Sequence, residues 1–213
     1  MRIKKTWISP NGVNLPYVIQ VDDPKYKIGI FGDSFAQLAE HAQLDKFTWQ
    51  GHEKPMFNHE STWQYFLANL LSVETHSYGV SCAGMGDIAE IILSSFSNIY
   101  DFYIIFHTDI RRRDLFAKNK YDATVYRKIN SFLSDKKILN IYWNKLHKIK
   151  SFGSVEYVTN FHITNSNRGE VRWGPEINLN PLDIGTSYCH MSARGNLLLA
   201  IELHKIIASS LKF

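Results

Sequence analysis

Tyr26-Lys27-Ile28-Gly29-Ile30-Phe31-Gly32-Asp33-Ser34-Phe35 reads as a short strand, about Lys27–Phe31, that runs into a tight turn carrying a serine. A brief apolar run bounded by a glycine turn fits a strand buried on both faces. In open α/β sheets, ligands bind at the carboxyl ends of such strands. A serine placed there becomes a nucleophile when a base reaches it. The complementary signal lies far downstream, in Cys189-His190-Met191-Ser192-Ala193-Arg194-Gly195-Asn196, ahead of the last amphipathic stretch. His190 is the candidate base.

Outward from the first strand, short apolar runs alternate with helical periodicity, the mark of a layered α/β domain. Residues 36–60 form a long irregular region, read as an insertion or pocket loop. Ser61-Thr62-Trp63-Gln64 is a capping-box pattern, and Trp63, Phe66, Leu67, Leu70 and Leu71 fall on one helical face. A second strand is expected over about Val73–Tyr78, followed by the glycine-rich turn Gly79–Gly86. Asp87 with Glu90 is expected to cap a helix with the apolar face Ile88, Ile91, Ile92 and Phe96. Phe102–Phe106 is the third strand and ends in His107-Thr108-Asp109. Val125, Ile129, Phe132 and Leu133 mark another helix, and Ile138, Ile141, Tyr142, Leu146 and Ile149 a further one. Val155–Phe161 reads as a strand and residues 164–186 as a long loop. Ser192 caps a terminal helix with Leu199, Leu203, Ile206 and Leu211 inside.

The 213 residues fit a single domain spanning 1–213, and the 45% hydrophobic content supports a sizeable core. No run of eighteen apolar residues predicts a transmembrane helix, and Met1–Pro10 lacks the apolar segment of a secretory signal. A cytoplasmic location is the expectation. Cys82 and Cys189 make no disulfide framework and read as small packing residues. His41, His52 and His59 lack metal-ligand spacing, and neither a Walker loop nor a dinucleotide fingerprint is present. No metal or other cofactor is implied. The net charge of +4 hides an asymmetry: residues 111–150 carry 12 basic and 3 acidic side chains. That segment reads first as a solvated helical surface, with contact to nucleic acid or an anionic polymer as the rival reading.

Taken in order, these motifs resemble the SGNH/GDSL hydrolases over residues 27–205. Gly32-Asp33-Ser34 is similar to their block I, and Ser61-Thr62-Trp63 to the Ser-Trp that opens the next helix. Tyr78-Gly79-Val80-Ser81 resembles the block II turn, and His190-Met191-Ser192 with Gly195-Asn196 the block V region. The resemblance implies a three-layer α/β/α flavodoxin-like fold with a mostly parallel sheet. It also implies ester hydrolysis through an acyl-Ser34 intermediate, with His190 as base and an O-acetyl group on a carbohydrate as a reasonable substrate. Acyl lipids and thioesters are alternatives. The implied oxyanion donors are the backbone N–H of Ser34, that of Cys82 or Gly84, and the side chain of Thr108. Asp33 and Arg111 are candidate substrate-binding residues.

Three positions depart from the pattern. Cys82 stands where block II usually has glycine, and Thr108 where block III usually has asparagine. Ser187 occupies the position of the triad acid, so Ser187 and Asp183 are both candidate orienting groups for His190. These changes keep a second function class open: a degenerate relative that binds glycan or polyanion without turnover. Ser34 as a simple helix cap and His190 as a structural residue are the corresponding plain interpretations.

Overall fold

The computed structural model describes residues 2–5, 16–33, 36, 48–49, 52–53, 62–80, 83–95, 100–108, 114–115, 117, 121–142, 171–173, 177–179 and 193–211. The elements in chain order are β1 (Arg2–Lys5), β2 (Tyr17–Gln20), β3 (Lys27–Gly32), β4 (Thr48–Trp49), β5 (His52–Glu53), α1 (Trp63–Leu71), β6 (Glu74–Gly79), α2 (Met85–Ser94), β7 (Phe102–His107), α3 (Ala123–Leu133), β8 (Ile138–Tyr142), β9 (Val171–Trp173), β10 (Ile177–Leu179) and α4 (Ala193–Leu211).

Six strands form the central sheet in the order β1-β2-β6-β3-β7-β8. The four strands β6, β3, β7 and β8 run parallel. Their order places the second strand of the set outside the first, as in flavodoxin-like sheets. β2 joins β6 antiparallel, and β1 extends that edge antiparallel to β2. Two small antiparallel pairs, β4 with β5 and β9 with β10, stand apart from this sheet.

Alternation along each strand sends side chains to two cores. Ile28 and Ile30 of β3, Phe102, Ile104 and Phe106 of β7, and Leu139 and Ile141 of β8 pack with Trp63 and Leu67 of α1 and Leu199, Leu203 and Ile207 of α4. Phe31, Tyr78, Tyr103, Ile105 and Ile138 face the other way, onto Ile88, Ile91 and Ile92 of α2 and Ile129 and Leu133 of α3. The chain therefore has three layers, α/β/α, with a mixed, mostly parallel sheet in the middle.

Several sequence expectations change. Ile138–Tyr142 is a strand rather than the start of a helix. Its β-branched, apolar run lies between two helical layers, and period alone does not separate such a strand from a buried helix. The expected continuation through Leu146 and Ile149, and the Val155–Phe161 strand, lie outside the described residues. β1 and β2 were not expected from the sequence; both are four-residue strands, and Ile19 of β2 is buried against Ala68 of α1. β4 with β5 and β9 with β10 are brief strands inside the two stretches expected to be loops. α1 begins one residue later than the capping pattern implies, with Thr62 as the cap that accepts from the Tyr65 N–H at 3.4 Å. Leu70, expected on the inner face, is 45% exposed. α2 starts at Met85 with Gly84 as its cap, and Asp87 is the third helical residue rather than the cap. The inner face of α4 includes Ile207, fully buried, where Ile206 is half-buried.

Candidate functional site

The carboxyl ends of β3, β6 and β7 meet at one edge of the sheet, and the serine turn begins there. Gly32 ends β3. A Cβ at Gly32 would come within 2.5 Å of the Phe106 Cβ and 2.9 Å of the Ala36 Cβ, so only glycine lets β7 and the turn approach this closely. The Ala36 N–H donates to the Asp33 carbonyl at 3.0 Å, which closes a four-residue turn across positions 33–36. Ser34 and Phe35, the two central positions, lie outside the described residues.

Both ends of that turn are held from neighbouring strands. Thr108 Oγ1–H, just past β7, donates to Asp33 Oδ2 at 3.1 Å. Ser77 Oγ–H, from β6, donates to the Ala36 carbonyl. Asp33 and Ala36 are fully buried, and Thr108 nearly so. Asp33 is thus a buried anchor of the turn; its carboxylate faces Thr108 rather than solvent. A buried carboxylate needs such donors, because desolvating an unpaired charge is costly.

The β6 side repeats the pattern. The Val80 N–H donates to the Gly32 carbonyl at 3.1 Å and extends the ladder beyond the strand. The Ala83 N–H donates to the Val80 carbonyl at 3.2 Å and closes a turn over positions 81 and 82, which lie outside the described residues. The Gly84 N–H donates to Asp87 Oδ2 at 3.0 Å. Two of the sequence-derived oxyanion candidates are therefore already engaged: Gly84 with Asp87, and Thr108 with Asp33. Cys82, Arg111, Asp183, Ser187 and His190 all fall outside the described residues.

The terminal helix is docked at this same edge. Asn196 Oδ1 in its first turn accepts the buried Trp63 N–H at 3.0 Å. That N–H is one of the orphan donors at the start of α1. The Trp63 ring lies 5.4 Å from the Phe106 ring, two residues before Thr108. The helix that follows His190 in the chain thus begins beside the strand end that holds Asp33.

Two histidines sit in β6 and β7. His107, at the end of β7, is buried, and its Nε2 lies 2.8 Å from Asn140 Oδ1 of β8. Burial pushes its pKa down to about 4, against a smaller upward pull from Asn140. It is a neutral bridge between strand ends. His76 lies toward the opposite edge. Its Nε2 is 2.7 Å from Glu74 Oε1 and its Nδ1 is 3.3 Å from the Tyr100 hydroxyl, which in turn lies 2.7 Å from the Tyr78 hydroxyl. Burial lowers the His76 pKa, and the Glu74 carboxylate offsets part of that. For Glu74 burial acts upward, but His76 and Lys27 together hold its pKa below the usual range. Among the described residues no group of three His, Cys, Asp or Glu side chains is placed to hold a metal. No helix there is long and apolar enough to cross a membrane.

Sequence reasoning missed the cross-strand partners: Ser77 for the turn, Asn140 for His107, and the reach of Asp87 into a distant segment. Asn196 was visible as part of a motif but not as the acceptor for Trp63.

No family model matches the chain, and no curated protein matches it. Among solved structures, a carbohydrate esterase family 2 enzyme with a carbohydrate binding domain from Myceliophthora fergusii aligns over 92% of this chain and 70% of its own, at 14% identity and a TM-score of 0.53. A family two carbohydrate esterase from Clostridium thermocellum, in complex with cellohexaose, aligns over 91% of this chain and 67% of its own, at 14% identity and a TM-score of 0.52. At that identity the likeness is one of fold.

Proposed function

We propose that the chain is a serine esterase of the SGNH type that hydrolyses a carboxylic ester, with O-acetyl groups on a carbohydrate as its substrate class. The observation that carries this is the pinned turn: Asp33 and Ala36, which flank Ser34 and Phe35, are held from β6 and β7 at the carboxyl edge of the sheet. A nucleophile needs such a fixed seat, because small displacements of a reacting atom cost large factors in rate. Two proteins that share the fold are named as carbohydrate esterases, which favours an ester of a sugar over one of a lipid.

In this mechanism Ser34 Oγ attacks the acyl carbon while His190 takes its proton. The oxyanion is held by the backbone N–H groups of Ser34 and Cys82, since Gly84 and Thr108 already serve Asp87 and Asp33. His190 then protonates the departing alcohol. Water, deprotonated by His190, attacks the acyl-Ser34 ester; the acyl–Oγ bond breaks, His190 returns the proton to Ser34 Oγ, and the carboxylic acid leaves. Asp183 or Ser187 orients the imidazole, and Arg111 is the candidate contact for an anionic part of the substrate. The docking of α4 through Asn196 supports the role of His190, because residue 193 opens that helix only three residues later.

A binding module without turnover is the second reading. The engagement of Thr108 with Asp33 favours it, because it removes the third oxyanion donor. Labelling with a fluorophosphonate separates the two. Covalent labelling of the wild type, lost in Ser34→Ala with the fold intact, supports the esterase. No labelling, together with salt-sensitive retention on heparin, supports the binder.

A further inference from the structure

Asp87 has more partners than a helix cap needs. It is the third residue of α2 and fully buried. Its Oδ2 accepts the Gly84 N–H at 3.0 Å, as a carboxylate at this position does for its own cap. The same Oδ2 also accepts the Leu115 N–H at 2.7 Å, and Oδ1 accepts the Ala117 N–H at 2.8 Å. These two donors belong to the segment after β7. That segment returns a bond: Asp114 Oδ1 accepts the Gly86 N–H at 2.7 Å. A Cβ on Gly86 would run into the Asp114 carboxylate, so glycine is what allows the approach.

The two segments joined here continue the strand ends of the candidate site. Residues 80–84 follow β6, and 114–117 follow β7 beyond Thr108. A carboxylate serving only as a cap would sit at the surface and leave its other lone pairs to water. Here it is enclosed, and three charge-assisted hydrogen bonds offset the loss of water. Leu115, fixed by its backbone, keeps a side chain that is 58% exposed.

We propose that Asp87 is a positioning residue for the substrate cleft: its carboxylate ties the turn after β6 to the segment after β7, so that the two move as one body. The link to the cleft rests on the esterase reading; the tie itself does not.

Amide hydrogen exchange on the full chain reads the tie, and the KM and kcat of ester hydrolysis read its consequence. In Asp87→Asn the amides of Gly84, Leu115 and Ala117 exchange about tenfold faster or more, together, while those of Ile30 and Ile104 keep their protection. KM rises about fivefold or more and kcat changes less than twofold. Asp114→Ala, a change at an exposed residue, removes the acceptor of the Gly86 N–H, so the Gly86 amide exchanges faster and Leu115 and Ala117 speed up by a smaller factor. It serves as the readout if Asp87→Asn does not fold. Exchange that rises at Leu115 and Ala117 but not at Gly84 overturns the tie. So does an equal rise throughout the core strands, which would make Asp87 a general stabiliser. Loosened amides with an unchanged KM overturn the role in the cleft. A wild type that neither hydrolyses esters nor labels at Ser34 removes the esterase reading, and the exchange pattern alone then decides the tie.

Discussion

His107 makes the stability of the site edge depend on pH, and the size of the effect follows from its burial. Its ring is enclosed at the end of β7, bonded to Asn140, with a pKa of about 4 instead of the ordinary 6.5. The folded protein therefore resists protonation that the unfolded chain accepts. The stability this gives is fully present above about pH 6.5. It is lost as pH falls from there toward 4, and no more is lost below. Between pH 7.5 and 4.5 the loss is about 2–3 kcal/mol for this one group. For a chain of this size that is a drop in Tm of roughly 5–10 °C.

Carboxylates also titrate in that range, so the measurement must isolate the histidine. His107→Gln keeps an amide N–H to offer Asn140 but cannot be charged. Denaturant unfolding of both proteins at pH 7.5 and 4.5 gives the comparison. The wild type's advantage over the variant should shrink, or reverse, by about 2–3 kcal/mol on going to the lower pH. A difference that does not change with pH would refute the claim that His107 is held neutral by burial.

Three further outcomes are expected. Thr108→Val removes the donor to Asp33 Oδ2 and leaves a buried carboxylate short of a partner; urea unfolding should show a loss of about 1–3 kcal/mol. Asn196→Leu strips the acceptor from the buried Trp63 N–H, with a similar cost in urea unfolding, and on the esterase reading should lower turnover more than a surface change of equal destabilisation, because it unseats the helix that follows His190. For the third triad member, Asp183→Asn and Ser187→Ala are compared on one ester: loss of turnover in Asp183→Asn alone assigns the orienting role to Asp183, loss in Ser187→Ala alone assigns it to Ser187, and no effect of either shows a backbone group or no triad.

The elements that build the edge of the sheet were legible because their signals are local. β3, β6 and β7 are apolar runs closed by glycine or polar turns, and α1, α2 and α4 carry apolar faces at helical spacing. β8 was misread since a strand buried on both faces has no alternation to reveal it. The antiparallel edge strand β1 was missed for the opposite reason: Arg2-Ile3-Lys4-Lys5 is mostly charged, and its strand character comes from pairing with Tyr17–Gln20. The residues that flank the candidate nucleophile were found by motif. Their partners were not, because Thr108 and Asp33, Asp87 and Ala117, and Asn196 and Trp63 meet only once the sheet and the helices are assembled.

Thr108 shows why one altered position matters for chemistry even when the fold is unaffected. A threonine hydroxyl has a single proton, and here it is given to Asp33. The asparagine usual at this position in SGNH hydrolases carries two N–H donors on its amide. It has one for the buried carboxylate and another for the oxyanion; threonine must choose. The choice made here keeps the serine turn anchored, because releasing Asp33 would take a donor from a fully buried carboxylate. On the esterase reading the transition state then has two backbone donors and no side-chain donor from position 108. Losing one oxyanion donor costs a factor of about 10²–10³ in turnover. On that reading a slow turnover and a tightly held turn follow from the same hydrogen bond, and the rigid turn is equally suited to binding a substrate that is only slowly cleaved.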